Sequence, residues 1–136
     1  MKKLFFLFIA LTLVLGLTVT VSADSHADEE YRISVVLKAT NSDYWKSVQA
    51  GAEQAGEDYG VEVSVVGPSN ETQVMQQINL LQDQISRQVD GLVVAPLRPS
   101  AAKGALENAV NRGIPVVTID TDAEFEGKTS FAGTGN

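Results

Sequence analysis

Two short stretches carry side chains that could do chemistry together. Lys38, Asn41, Ser42, Tyr44 and Trp45 crowd an ammonium, an amide, a hydroxyl and two adjacent aromatic rings into one segment, and Asp120 stands directly after the apolar run that begins at Ile114. A carboxylate accepts hydrogen bonds from neighbouring hydroxyls, an ammonium and an amide donate to oxygens, and an aromatic face covers the apolar C–H side of a saturated ring. The set therefore fits a small polyhydroxylated ligand. The structural alternatives are a core role for either aromatic ring and a turn or cap role for Asp120.

Sharper chemistries find no support. The chain has no cysteine and one histidine, so thiolate metal sites, disulfides and a cysteine nucleophile are excluded, and the lipidated cysteine of many exported bacterial proteins is absent. His26 lies among Asp24, Asp28, Glu29 and Glu30 in a polar leader, where a metal site is not expected. Gly127-Lys128-Thr129 has the end of a phosphate loop but Asp122 where its first glycine belongs, and no G-x-G-x-x-G follows a strand. Asp120 and Asp122 are too close in sequence to face each other as a glycosidase pair. Asn70-Glu71-Thr72 matches a glycosylation sequon but reads more simply as a helix start. No catalytic residue, cofactor or metal is expected.

The elements that must position these groups are legible in the pattern. Short β-rich runs, Arg32–Lys38, Val61–Val66, Gly91–Ala95 and Ile114–Asp120, alternate with helical stripes. The stripes are Trp45, Val48, Ala52, Ala55 and Tyr59; then Val74, Ile78, Leu81 and Ile85; then Ala102, Leu106, Ala109 and Val110. Asn70 with Gln73 suggests a capping box, Pro99 a first helical turn, and Gly60 and Gly113 the positions past helix ends. Thr129–Ala132 adds a further strand. The expectation is an α/β fold: a doubly wound parallel sheet in three layers, with Val93-Val94 and Val116-Val117 in central strands covered by helices on both faces. Ligands of such a sheet bind outside the carboxyl ends of its strands, in the loops Lys38–Asp43, Gly67–Asn70, Pro96–Arg98 and Asp120–Asp122.

Composition agrees. At 136 residues, 44% hydrophobic and 20% charged, the chain has room for one globular domain. Its net charge of −7 leaves no basic footprint for nucleic acid or an anionic membrane. Met1-Lys2-Lys3, the uncharged run Leu4–Val21 and the small residues Val21-Ser22-Ala23 read as a cleaved export signal over residues 1–23, followed by an acidic disordered leader over 24–31. The competing reading is a retained membrane anchor.

The motifs together resemble a known family. Lys38-Ala39-Thr40-Asn41-Ser42-Asp43-Tyr44-Trp45, the V-x-A-G-A-E of Val48–Glu53, the G-L-V-V-A-P of Gly91–Pro96 and the G-I-P-V-V-T-I-D of Gly113–Asp120 are similar to type I periplasmic sugar-binding proteins, in particular those for ribose and allose. The resemblance implies a soluble periplasmic receptor, not an enzyme. Such a receptor captures a monosaccharide, pentose or hexose, between two α/β lobes and delivers it to the permease subunits of an ATP-driven ABC importer. It implies that Lys38 donates to the sugar, Ser42 or Asn41 makes a polar contact, Tyr44 and Trp45 form an aromatic wall, and Asp120 accepts from adjacent hydroxyls. Asp43 replaces the family's usual proline, and Ser42 is shorter than its frequent asparagine. Residues 32–136 correspond to the amino-terminal lobe alone, so a fragment is expected. A sugar-sensing domain of an anchored receptor is the alternative function.

Overall fold

The computed structural model describes residues 31–133. The export signal, nearly all of the acidic leader and His26 lie outside the described residues. Within them the order is β1 (Arg32–Val36), α1 (Asp43–Tyr59), β2 (Glu62–Val66), α2 (Val74–Ser86), β3 (Gly91–Val94), α3 (Pro99–Asn111), β4 (Val116–Ile119) and β5 (Ser130–Ala132). The strands form one parallel sheet in the order β2-β1-β3-β4-β5. The expected α/β architecture is therefore present, with strands slightly shorter than their apolar runs. Pairing nonetheless continues one step past the strand ends, since Leu37 N–H donates to the Val66 carbonyl at 2.8 Å and Ala95 N–H to the Val36 carbonyl at 2.9 Å.

Helix ends follow local chemistry. Ser42 caps α1 by accepting from Trp45 N–H, and Gly60 closes the helix at φ 65°, a left-handed backbone that costs glycine least. Pro99 opens α3, and Gly113 follows its end at φ 80°. The expected capping box is half formed. Gln73 Oε1 accepts from Asn70 N–H at 3.3 Å, but Asn70 Oδ1 turns to Thr72 N–H at 3.1 Å, so α2 starts one turn later, at Val74. An Asx turn has replaced the cap.

Chain reversal after β2 sets the two faces of the sheet. Right-handed crossovers send α1 to one face, and α2 and α3, running the other way across the sheet, to the opposite one. Two cores result. Val36, Leu92, Val94 and Val116 pack with Ile78, Leu81, Ile85, Ala102, Leu106 and Ala109 of α2 and α3; Val35, Leu37 and Ala95 pack with Trp45 of α1. The expectation of strands covered on both faces is only partly met. Val94 and Val116 are fully buried, whereas Val93 and Val117, on the α1 side, are half-buried. The α1 stripe likewise begins buried at Trp45 and ends exposed at Ala55 and Tyr59.

Candidate functional site

β1 is where the strand order reverses, with its successor β2 on one side and β3 on the other. The loops leaving the carboxyl ends of β1 and β3 therefore run to opposite faces of the sheet, the place where ligands of such sheets bind. Lys38 extends from the β1 end and Asp120 from the β4 end, with β3 between them, a span of two strand spacings or about 9.6 Å. The β3 end carries only Ala95 and Pro96 there. A long lysine side chain crosses that gap: its Nζ donates to Asp120 Oδ2 at 2.6 Å and to Thr121 Oγ1 at 2.5 Å.

The Asp120 backbone makes this meeting feasible. Its φ is 59°, the left-handed region that aspartate tolerates better than most residues, and Thr121 N–H turns back to the Ile119 carbonyl at 2.6 Å. Asp120 N–H still donates to the Ala132 carbonyl at 3.1 Å, so the turn is tied to β5. The carboxylate is left facing Lys38, and Tyr44 Oη donates to its other oxygen, Oδ1, at 3.0 Å. The Lys38 ammonium, with smaller help from the Tyr44 and Thr121 hydroxyls, holds the Asp120 carboxyl below the usual carboxylate range, against a partial burial that pushes it up. The same hydrogen bond to Asp120 raises the Tyr44 phenol above its ordinary value.

The two aromatic residues divide. Tyr44 is 56% exposed and Trp45 only 2%. Trp45 belongs to the core under the loop, so an aromatic wall, if a ligand uses one here, is Tyr44. The rings meet edge to face at 4.9 Å between centroids, and Lys38 Nζ lies 5.8 Å from the indole centroid. Ser42 Oγ is committed to the α1 cap, and Asn41 is exposed and outside the Lys38–Asp120 network. Asp122 turns away from Asp120; its Oδ1 accepts from Thr118 at 2.7 Å, Lys128 at 2.5 Å and Ala123 N–H at 2.8 Å.

Three participants escaped the sequence reading. Thr121 directly follows Asp120, and Glu71 lies one residue beyond the loop assigned to the β2 end; its Oε1 accepts from Trp45 Nε1 at 2.8 Å. Gln77 is fully buried on α2. Its Nε2 donates to the Leu37 and Ala95 carbonyls at 2.9 Å each, and its Oε1 accepts from Leu97 N–H at 2.8 Å. It therefore fixes the ends of β1 and β3, from which the Lys38 loop departs. A glutamine flanking Ile78 on the buried face of α2, repeated one heptad later by Gln84 beside Ile85, was the available signal.

What the network leaves unused defines its capacity. Lys38 retains one N–H, Asp120 Oδ1 retains lone-pair capacity, and the Tyr44 oxygen can still accept. One donor and two acceptors at a neutralised charge pair complement adjacent hydroxyls, each of which both donates and accepts.

Comparison with known proteins gives the same architecture. The family model described as "Periplasmic binding protein domain" matches residues 33–136. The ribose import binding protein RbsB of Bacillus subtilis (strain 168) is 31% identical over 102 residues, covering 75% of this chain and 33% of that protein. The D-ribose/D-allose-binding protein of Pseudomonas aeruginosa is 30% identical over 99 residues, covering 70% and 31%. Among solved structures, a carbohydrate transporter solute binding protein from Agrobacterium radiobacter in complex with D-arabinose superposes with a TM-score of 0.75 at 32% identity, covering 79% of this chain and 36% of that one. The chain spans about a third of the length of the curated relatives it matches.

Proposed function

The chain belongs to the periplasmic binding protein family, and from that premise we propose that it serves as a receptor for a neutral monosaccharide, with the loops bearing Lys38, Tyr44 and Asp120 as one wall of the sugar cleft. The observation that carries this reading is the Lys38–Asp120 pair at the carboxyl ends of β1 and β4, joined by Tyr44. Its charges cancel, its remaining hydrogen-bonding capacity suits vicinal hydroxyls, and Tyr44 offers an exposed ring beside it. In this reading Asp120 Oδ1 and Tyr44 Oη each accept from one of two adjacent hydroxyls, Lys38 donates to a sugar oxygen, and Asn41, exposed at the rim, supplies a further amide. Ser42 acts through the α1 cap, and Trp45 supports Tyr44 from below.

Residues 32–136 act as the amino-terminal lobe of that receptor. Its working compartment is the periplasm, reached by a cleaved signal over residues 1–23, and its bound sugar passes to an ATP-driven importer. The ribose, allose and arabinose named for the relatives support a pentose or hexose as ligand. No helix of the described residues is long and apolar enough to cross a membrane.

Isothermal titration with D-ribose, D-allose and D-arabinose tests the proposal. Weak but saturable binding of at least one at millimolar sugar, as one wall of a two-lobed cleft allows, with no binding of the corresponding sugar acids, is expected. Absence of binding across the neutral set, or preference for the acids, overturns it.

A further inference from the structure

We propose that Glu71 is a positioning residue of this site: its carboxylate anchors the Trp45 indole, and the anchored ring holds Tyr44 and Lys38 where both meet Asp120. The inference rests on the functional reading above for its binding consequence, though not for its geometry.

A buried indole needs an acceptor for its N–H, and Trp45, 2% exposed, finds one in Glu71 Oε1 at 2.8 Å. An ionised acceptor makes this bond stronger and more directional than a neutral one. The ring so fixed has two neighbours on its site side, the Tyr44 ring at 4.9 Å and Lys38 Nζ at 5.8 Å. These are the two side chains that grip the two oxygens of Asp120, Lys38 on Oδ2 and Tyr44 on Oδ1. A rotation of the indole displaces both donors together.

The anchor is itself held. Ser69 Oγ and Asn70 N–H donate to Gln73 Oε1 at 2.7 and 3.3 Å, and Thr72 Oγ1 donates to Asn70 Oδ1 at 2.6 Å, so Glu71 sits inside a turn pinned on both sides. This arrangement couples the β2 loop, which contributes no atom to the Lys38–Asp120–Tyr44 network, to the geometry of that network.

The chain has one tryptophan and three tyrosines, which makes the test direct. In the full chain carrying Tyr31→Phe and Tyr59→Phe, both at exposed positions, ultraviolet titration reads the Tyr44 phenol alone. Glu71→Ala is expected to return that titration to the ordinary phenol value and to red-shift Trp45 emission. Glu71→Gln, whose amide oxygen still accepts the indole N–H, is expected to keep both near the parent. With D-ribose, D-allose and D-arabinose as probes, Glu71→Ala is expected to weaken binding by about tenfold and Glu71→Gln by less than about threefold. In a Trp45→Phe background, which lacks the N–H, Glu71→Ala should add nothing.

An unchanged Tyr44 titration in Glu71→Ala overturns the proposal. So does an undiminished loss of affinity in the Trp45→Phe background, which assigns Glu71 to direct ligand contact. If the parent binds none of the sugars, the functional reading falls, while the Tyr44 titration and Trp45 emission still decide the role of Glu71. If Trp45→Phe does not fold, the Glu71→Ala and Glu71→Gln pair decides it by the same two readouts.

Discussion

Asp120 joins backbone strain, charge and hydrogen bonding in one residue, and its variants separate them. Asparagine and glycine both tolerate φ 59°, alanine less well. Asp120→Asn and Asp120→Gly should therefore keep the turn after β4, while Asp120→Ala adds strain to the loss of the carboxylate. All three should weaken sugar binding by at least about tenfold, because a charge-assisted hydrogen bond contributes on the order of 1.5–3 kcal/mol. Only Asp120→Ala should show a clear further drop in melting temperature, checked by calorimetry. The pH dependence follows from the sign of the shift. With the folded-state Asp120 carboxyl held below its ordinary range, its stabilising contribution is complete above that range and is lost as pH falls through the lower folded value. Affinity should accordingly stay flat from neutral pH to mild acid and fail only below the normal carboxylate range. At this scale the sequence was informative about residue type and placement at strand ends. It was silent on partnership, because Lys38 and Asp120 are 82 residues apart and meet only once the strand order brings their loops together. Helical periodicity set Trp45, first in the α1 stripe, apart from Tyr44, but it does not say which of two adjacent rings at a helix start reaches a ligand.

Among the elements, α2 does more than cover the sheet. Gln77 satisfies the Leu37 and Ala95 carbonyls and Leu97 N–H in a site with no exposure, so its amide closes backbone bonds that strand pairing leaves open where the chain departs into the loops. Gln77→Leu keeps the side chain's bulk and strands those groups. Unsatisfied buried groups cost about 1–3 kcal/mol each, so this variant should lose about 3 kcal/mol or more, read from denaturant unfolding. Asn79→Leu, at an exposed α2 position, should lose almost nothing and serves as the control. Helix and strand positions were legible because apolar spacing records the period of the backbone. The start of α2 was less so: Asn70 had two acceptable donors in reach, and the spacing to Gln73 does not say which one it takes.

For the whole molecule the informative feature is the inequality of the two sheet faces. Five strands span about 19 Å at their usual spacing, while one helix with its side chains covers about 10–12 Å. α2 and α3 together cover their face; α1 alone does not. An apolar groove of about 450 Å³ remains beside α1, lined by Ile33, Val35, Val48, Ala52, Val93 and Ile119 among others. The sequence pointed to apolar residues on both faces of the central strands and so to cover on both, because hydropathy records what a side chain avoids and not what lies upon it. Ala55, exposed and also lining this groove, gives a handle that leaves the core untouched. The folded chain should bind the apolar reporter anilinonaphthalene sulfonate at this face, and Ala55→Glu should suppress its emission by adding like charge at the groove. Substitutions of exposed residues usually shift stability by no more than about 0.5 kcal/mol, so the melting temperature should hold. Dye titration of the two proteins under native conditions makes the check: equal emission from both would place the exposed apolar surface elsewhere than beside α1.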